Sequence, residues 1–256
     1  MLKINFKKIS ILGFVCVFIL LLLLPEKASA WYDENWLYRK GITIDHTKID
    51  ADLTDFPVLI SLDADADLAS KAQNDGDDIL FADASDNRLN HEIEYFDGST
   101  GALIAWVNVP SLSSSEDTTL YMYFGNSAAN NQQDVEGTWN NNYVMVQHLE
   151  ETSGTHFDST SLGNDGTTVV VTDQDATGNL NGADEFDGTD DYVRVPNDAS
   201  LQFGEESFTA EAWIYPNSVP DPGGARIVNN RGTGAGGQYK GWQFKIANAA
   251  GYWKFK

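Results

Sequence analysis

The chain has 256 residues, enough for two modest domains. Its 38 Asp+Glu against 16 Lys+Arg give a net charge of −22, which argues against nucleic acid and anionic lipid as partners. Cys16 is the single cysteine, so residues 31–256 can form neither a disulfide nor a thiolate metal site.

Residues 1–30 read as a signal peptide. Lys3, Lys7 and Lys8 precede the apolar run from Ile9 to Leu24, and Ala28-Ser29-Ala30 supplies small residues for cleavage. The run is shorter than the roughly twenty residues of a membrane span. A secreted or cell-surface protein starting at Trp31 is therefore expected, with no stable membrane insertion after cleavage. The remaining 12 Lys+Arg and 37 Asp+Glu leave it at −25.

Beyond the leader no long helical period occurs, and Leu68 to Gln73 offers one helical turn at most. Short alternating runs recur instead: Arg39 to Ile44, Phe56 to Leu62, Ala102 to Val109 and Thr118 to Phe124. Asp, Asn, Gly and Ser separate them, the pattern of an all-β sandwich. Gly125 to Thr138 is almost without apolar residues, so 130–138 reads as a linker between a module at 31–129 and another at 139–256.

In the second module, strands are expected at Asp191 to Val195 and Phe208 to Tyr215. Asp187-Gly188 makes the turn before the first, and Pro196-Asn197-Asp198 breaks away after it. Gly241 to Ile246 and Gly251 to Lys256 also alternate. With so few strands after the Trp213 pair, the sandwich reads as incomplete.

Two resemblances follow from the wording. Asp184-Glu185-Phe186-Asp187-Gly188 with Asp190-Asp191-Tyr192-Val193-Arg194-Val195-Pro196, then Phe208-Thr209-Ala210-Glu211-Ala212-Trp213-Ile214, resembles the laminin-G-like, concanavalin-A-like jelly roll. Val146 to Glu151, Asp158-Ser159-Thr160 and Gly163 to Gly166 fit it too. In the first module, Trp36 to Lys40, Asp75 to Phe81, His91 to Phe96, Ala105 to Pro110 and Tyr121 to Asn126 resemble the bacterial and archaeal family of unknown function DUF2341. The first resemblance implies an all-β chain whose second β-sandwich binds glycans or proteins. The second implies no chemistry, because that family has none established.

Candidate chemistry is sparse. Glu92, Glu94 and Asp97 are the best candidates for hydrolytic carboxylates, since Glu92 and Glu94 share a strand face. Concanavalin-A-like glucanases carry E-x-D-x-x-E, however, whereas this run is E-x-E-x-x-D in the other module. No catalytic residue is therefore assigned, and Glu211 alone cannot serve as both acid and base. His91-Glu92 lacks the second histidine of a zinc-protease helix, because position 95 is Tyr. His148 and His156 are expected to be packed or surface histidines. Asp63, Asp65 and Asp67 begin like a calcium-binding EF-hand, but Leu68 and Asn74 occupy positions that need Gly and Glu.

Calcium is the expected cofactor of the jelly-roll module, whose family often carries a rim ion. Asp158, Asn164, Asp187, Asp190 and Asp191 are its candidate ligands. Turn capping by the same side chains is the competing reading. Tyr239, Trp242, Tyr252 and Trp253 are the candidate sugar-stacking residues, while Trp213 is expected in the core along with Trp31, Trp36 and Trp106. The expected function is non-enzymatic binding of an extracellular glycan or protein. The alternatives are a glycoside hydrolase, or the front end of one, and a structural surface-layer component.

Overall fold

The computed structural model describes residues 32–140, 142–217, 225–233, 239–249 and 252–255, with side chains described to 230 and again for 241–246. The expected signal peptide lies outside these residues. Among them no helix is long and apolar enough to cross a membrane.

The chain is all-β. Its first unit holds β1 (Tyr38–Ile44), β2 (Leu53–Leu62), β3 (Leu80–Asp83), β4 (Arg88–Leu89), β5 (His91–Asp97), β6 (Ala102–Leu112) and β7 (Thr118–Phe124). Two sheets form, in the orders β1-β7-β3-β4 and β2-β6-β5. Alternation decides what lies between them: Leu103, Ala105, Val107 and Val109 of β6 meet Leu120, Met122 and Phe124 of β7, with Phe81 and Ile60. Helix α1 (Ala66–Lys71) drops Leu68 into this core, and Asp65 caps it by accepting from Asp67 N and Leu68 N.

Buried polar groups fix the connections. Asp78 has no exposed surface, and its carboxylate accepts from the backbone N–H of Gln73, Gly125 and Asn126 at 2.7–2.9 Å. It ties the entry to β3 to the exit of β7. His91 lies in the core with its ring 5.2 Å from Phe81. Burial holds its pKa down to about 4, against weaker upward pulls from the Leu89 and Ile79 carbonyls.

The stretch expected as a linker is packed rather than free. Asp134 N donates to His91 O, and Gln133 Oε1 accepts from Ile93 N, so the segment pairs with the outer edge of β5. Helix α2 (Val135–Thr138) follows, Thr138 and Trp139 are buried, and Asn108 Nδ2 donates to Thr138 O. An exposed strand edge needs covering, and here polar amides supply the cover, which composition alone reads as a tether.

The second unit is built from β8 (Thr168–Val170), β9 (Asp173–Thr177), β10 (Gly182–Glu185), β11 (Tyr192–Arg194), β12 (Ala225–Thr233), β13 (Tyr239–Ala249) and β14 (Tyr252–Phe255). They pair as β10-β9, β11-β8 and β12-β13-β14. Phe208 to Tyr215, expected as a strand, pairs with no described strand. Trp213 is correspondingly 77% exposed and Tyr215 93%, not core. Alternation marks a segment suited to burying one face, but burial needs a covering sheet, and none is described there.

Candidate functional site

The outward face of β5 and β6 carries a cluster of titratable and aromatic side chains. Inward Ala105 and Val107 leave Trp106 and Asn108 pointing outward on β6. On β5 the register shifts between Ile93 and Tyr95, so Glu94 occupies a β-bulge. The shift turns Phe96 toward the core and exposes Tyr95, while Glu92 and Glu94 stay together on the outward face.

They converge on His148. Glu92 Oε2 lies 3.1 Å from His148 Nε2, and Glu94 Oε2 lies 3.1 Å from His148 Nδ1. Trp139 Nε1 donates to Glu92 Oε2 at 2.5 Å, Trp106 Nε1 to Glu94 Oε2 at 2.8 Å and Ser159 Oγ to Glu92 Oε1 at 2.7 Å. The imidazole stacks 6.2 Å from Trp106 and packs 5.9 Å from Trp139. The Glu94 side chain is 2% exposed, and those of Glu92 and His148 are each 10% exposed. The two candidate hydrolytic carboxylates thus form, with His148, a closed Glu–His–Glu cluster roofed by two indoles.

Burial alone would lower the His148 pKa. The hydrogen bonds and charges of Glu92 and Glu94 outweigh it and raise the pKa to about 10. Burial likewise pushes the Glu92 carboxyl up, and the His148, Trp139 and Ser159 donors outweigh that and hold it below the ordinary range. Glu150, beside His148 on its own segment, is pushed up by burial. The signs fix a pH window. A raised histidine stabilises fully below its ordinary 6.5 and loses that contribution as pH climbs toward 10. A lowered carboxylate stabilises above its ordinary 4.5 and loses that as pH falls. Urea midpoints should therefore peak between about pH 5 and 6.5 and decline toward pH 10. The alkaline decline should flatten in His148→Gln.

Asp97 does not join the cluster. It caps its own turn, accepting from Ser99 N, Ser99 Oγ and Thr100 Oγ1 at 2.6–2.8 Å, and these bonds, led by Ser99 Oγ, lower its pKa to about 2.

The expected calcium ligands divide. Asp158 accepts four bonds, from Val146 N, Thr160 N, Thr160 Oγ1 and Asn164 N. Asn164 donates through Nδ2 to Val144 O and Ser200 Oγ. Both side chains thus take part in internal hydrogen bonds around the Asp158 turn. Asp187, Asp190 and Asp191 do come together, with carboxylate oxygens within 4.8 Å of one another. Asp191 accepts from Asp187 N and Thr172 Oγ1, and those two bonds lower its pKa in that order. Asp45, His46 and Asp117 make a second such group that local sequence could not show, because Asp117 lies 71 residues from His46.

Of the sugar-stacking candidates, Trp242 packs 5.6 Å from Phe203 and 4.9 Å from Phe208, so its ring is committed to an aromatic stack. The side chains of Tyr239, Tyr252 and Trp253 lie outside those described. Sequence reasoning gave His148 no role and took Trp106 for a packing residue, because their partners are 12 to 56 residues away.

Residues 75–169 match the family described as Domain of unknown function (DUF2341). Residues 187–256 match the family described as Concanavalin A-like lectin/glucanases superfamily. Neither the curated proteins nor the solved structures gave a match. The DUF2341 match runs through 130–138 and on past His148, consistent with the packing of those residues on β5 and β6. The chain thus carries a DUF2341 segment followed by a segment of the concanavalin A-like lectin/glucanases superfamily, in that order.

Proposed function

We propose that the protein is an exported, non-enzymatic binding protein that recognises an extracellular glycan or protein through its concanavalin A-like segment. A concanavalin A-like unit supports binding of carbohydrate or protein as the general role. The observation that carries the non-enzymatic reading is the state of Glu92 and Glu94. A retaining glycosidase needs two carboxyl groups facing a substrate cleft, one of them free to donate a proton. Here both carboxylates are closed off by His148, Trp106, Trp139 and Ser159. The leader sequence and the −25 charge of residues 31–256 support an extracellular setting for a neutral sugar or basic partner. Screening the exported protein against a glycan array and extracellular-matrix proteins should yield a saturable ligand. A ligand retained after residues 187–256 are replaced by an unrelated sandwich would overturn the assignment.

Calcium belongs to this reading. The three carboxylates of Asp187, Asp190 and Asp191 offer hard oxygen donors of the kind calcium takes, and would hold it at the turn before β11. A site that binds only the native state adds about 2.7 kcal/mol at a hundred times Kd, several degrees in Tm for a domain of this size. Millimolar calcium should raise Tm over an EDTA control, and Asp191→Ala should shrink that difference. Asp158→Ala should lower Tm equally with and without calcium, because its bonds all stay inside the fold. Equal melting in calcium and EDTA at constant ionic strength would reject the site.

A further inference from the structure

His148 and His156 are eight residues apart on one arm, and each imidazole is buried between two carboxylates. His148 sits between Glu92 and Glu94 of the first unit. His156 has no exposed surface. Its Nδ1 lies 2.6 Å from Glu151 Oε2 on the arm, and its Nε2 lies 2.9 Å from Asp184 Oδ2 on β10, without hydrogen-bond alignment. The Asp184 side chain is fully buried as well. One imidazole of the arm is thus enclosed by the first unit and the other by the second.

The backbone between them is constrained from both sides. Leu149 has φ +57°, a left-handed conformation that a branched side chain rarely adopts. Such strain persists where surrounding contacts over-determine it. Gly182 at the start of β10 approaches so closely that a Cβ there would lie 2.7 Å from Leu149 O and Glu150 Cα. Its neighbour Asn181 donates through Nδ2 to Glu150 Oε2 at 3.0 Å and lies 3.5 Å from Glu94 O. Second-unit residues therefore reach the arm and the bulge of β5 together. On the far side, Ser159 returns to Glu92, and His156 pairs with Gly166 in an isolated bridge.

We propose that residues 143–166 are a two-ended bolt, His148 seated in the first unit and His156 in the second, that fixes the two units in one orientation. The Glu92–Glu94 pair is then the socket of an internal docking surface whose occupant is this chain's own arm. The bolt is independent of which ligand the second unit binds. It gives a mechanical reason for the DUF2341 match to continue to residue 169.

The test uses the full chain with Cys16→Ser, spin-labelled at Lys48→Cys and Glu205→Cys, both exposed positions, one in each unit. Pulsed dipolar spectroscopy should give one narrow distance distribution, and calorimetry one cooperative transition. His148→Gln should broaden the distribution at least twofold and split the transition in two. Glu94→Gln keeps the bulge residue's size and should broaden the distribution less. It serves as the readout if His148→Gln does not fold. His156→Gln should broaden the distribution while leaving the first unit's transition in place. A wild-type distribution that is already broad, or a narrow one unchanged in both His148→Gln and Glu94→Gln, would overturn the proposal.

Discussion

His148→Ala is expected to destabilise the protein by about 3–5 kcal/mol, the range for removing one partner of a buried ionic group. The loss comes mainly from what stays behind. Glu92 and Glu94 would face each other under Trp106 and Trp139 with no positive charge between them. Chemical denaturation of both proteins at pH 6 checks this. Combining His148→Ala with Glu92→Gln and Glu94→Gln should recover part of the loss, because neutral amides cost less to bury than uncompensated carboxylates. A loss under about 1 kcal/mol, the worth of an exposed pair, would show that the cluster is open to water.

Asp78→Ala is the second large effect. It strands the backbone N–H groups of Gln73, Gly125 and Asn126, each of which donates to that carboxylate. An orphaned buried donor costs about 1–3 kcal/mol, so a total of about 3 kcal/mol or more is expected. Asp78→Asn retains one acceptor oxygen and should lose less. Because Asp78 joins β3 to the end of β7, hydrogen exchange at Gly125 and Asn126 should accelerate along with global unfolding.

Much of the first unit is legible in the sequence because its strands bury one face. Thr118 to Phe124 coincides with β7, and Arg39 to Ile44, Phe56 to Leu62 and Ala102 to Val109 fall within one to three residues of their strands. Period-two alternation is a local property, and burial between two sheets imposes it directly. The helix expected as one turn at most over Leu68 to Gln73 lies instead at Ala66–Lys71, where Asp65 caps its start. The failures are all non-local. Glu94 forms a bulge only because Ile93 and Tyr95 must both keep register with β6. The amide-rich 130–138 segment packs because β5 would otherwise present a bare edge. Trp213 is exposed because its surroundings, not its own period, determine cover. The Glu92–His148 contact spans 56 residues, beyond any local pattern. Asp187, Asp190 and Asp191 come together because all three belong to one turn.

Glu92 and Glu94 are expected to hold the protein together and to do no chemistry. Incubating the exported protein with β-glucan, xylan and galactan, and measuring reducing ends, tests it directly. No release above a protein-free blank is predicted, for wild type and Glu92→Gln alike. Hydrolysis by wild type that disappears in Glu92→Gln or Glu94→Gln, while both variants remain folded, would contradict it.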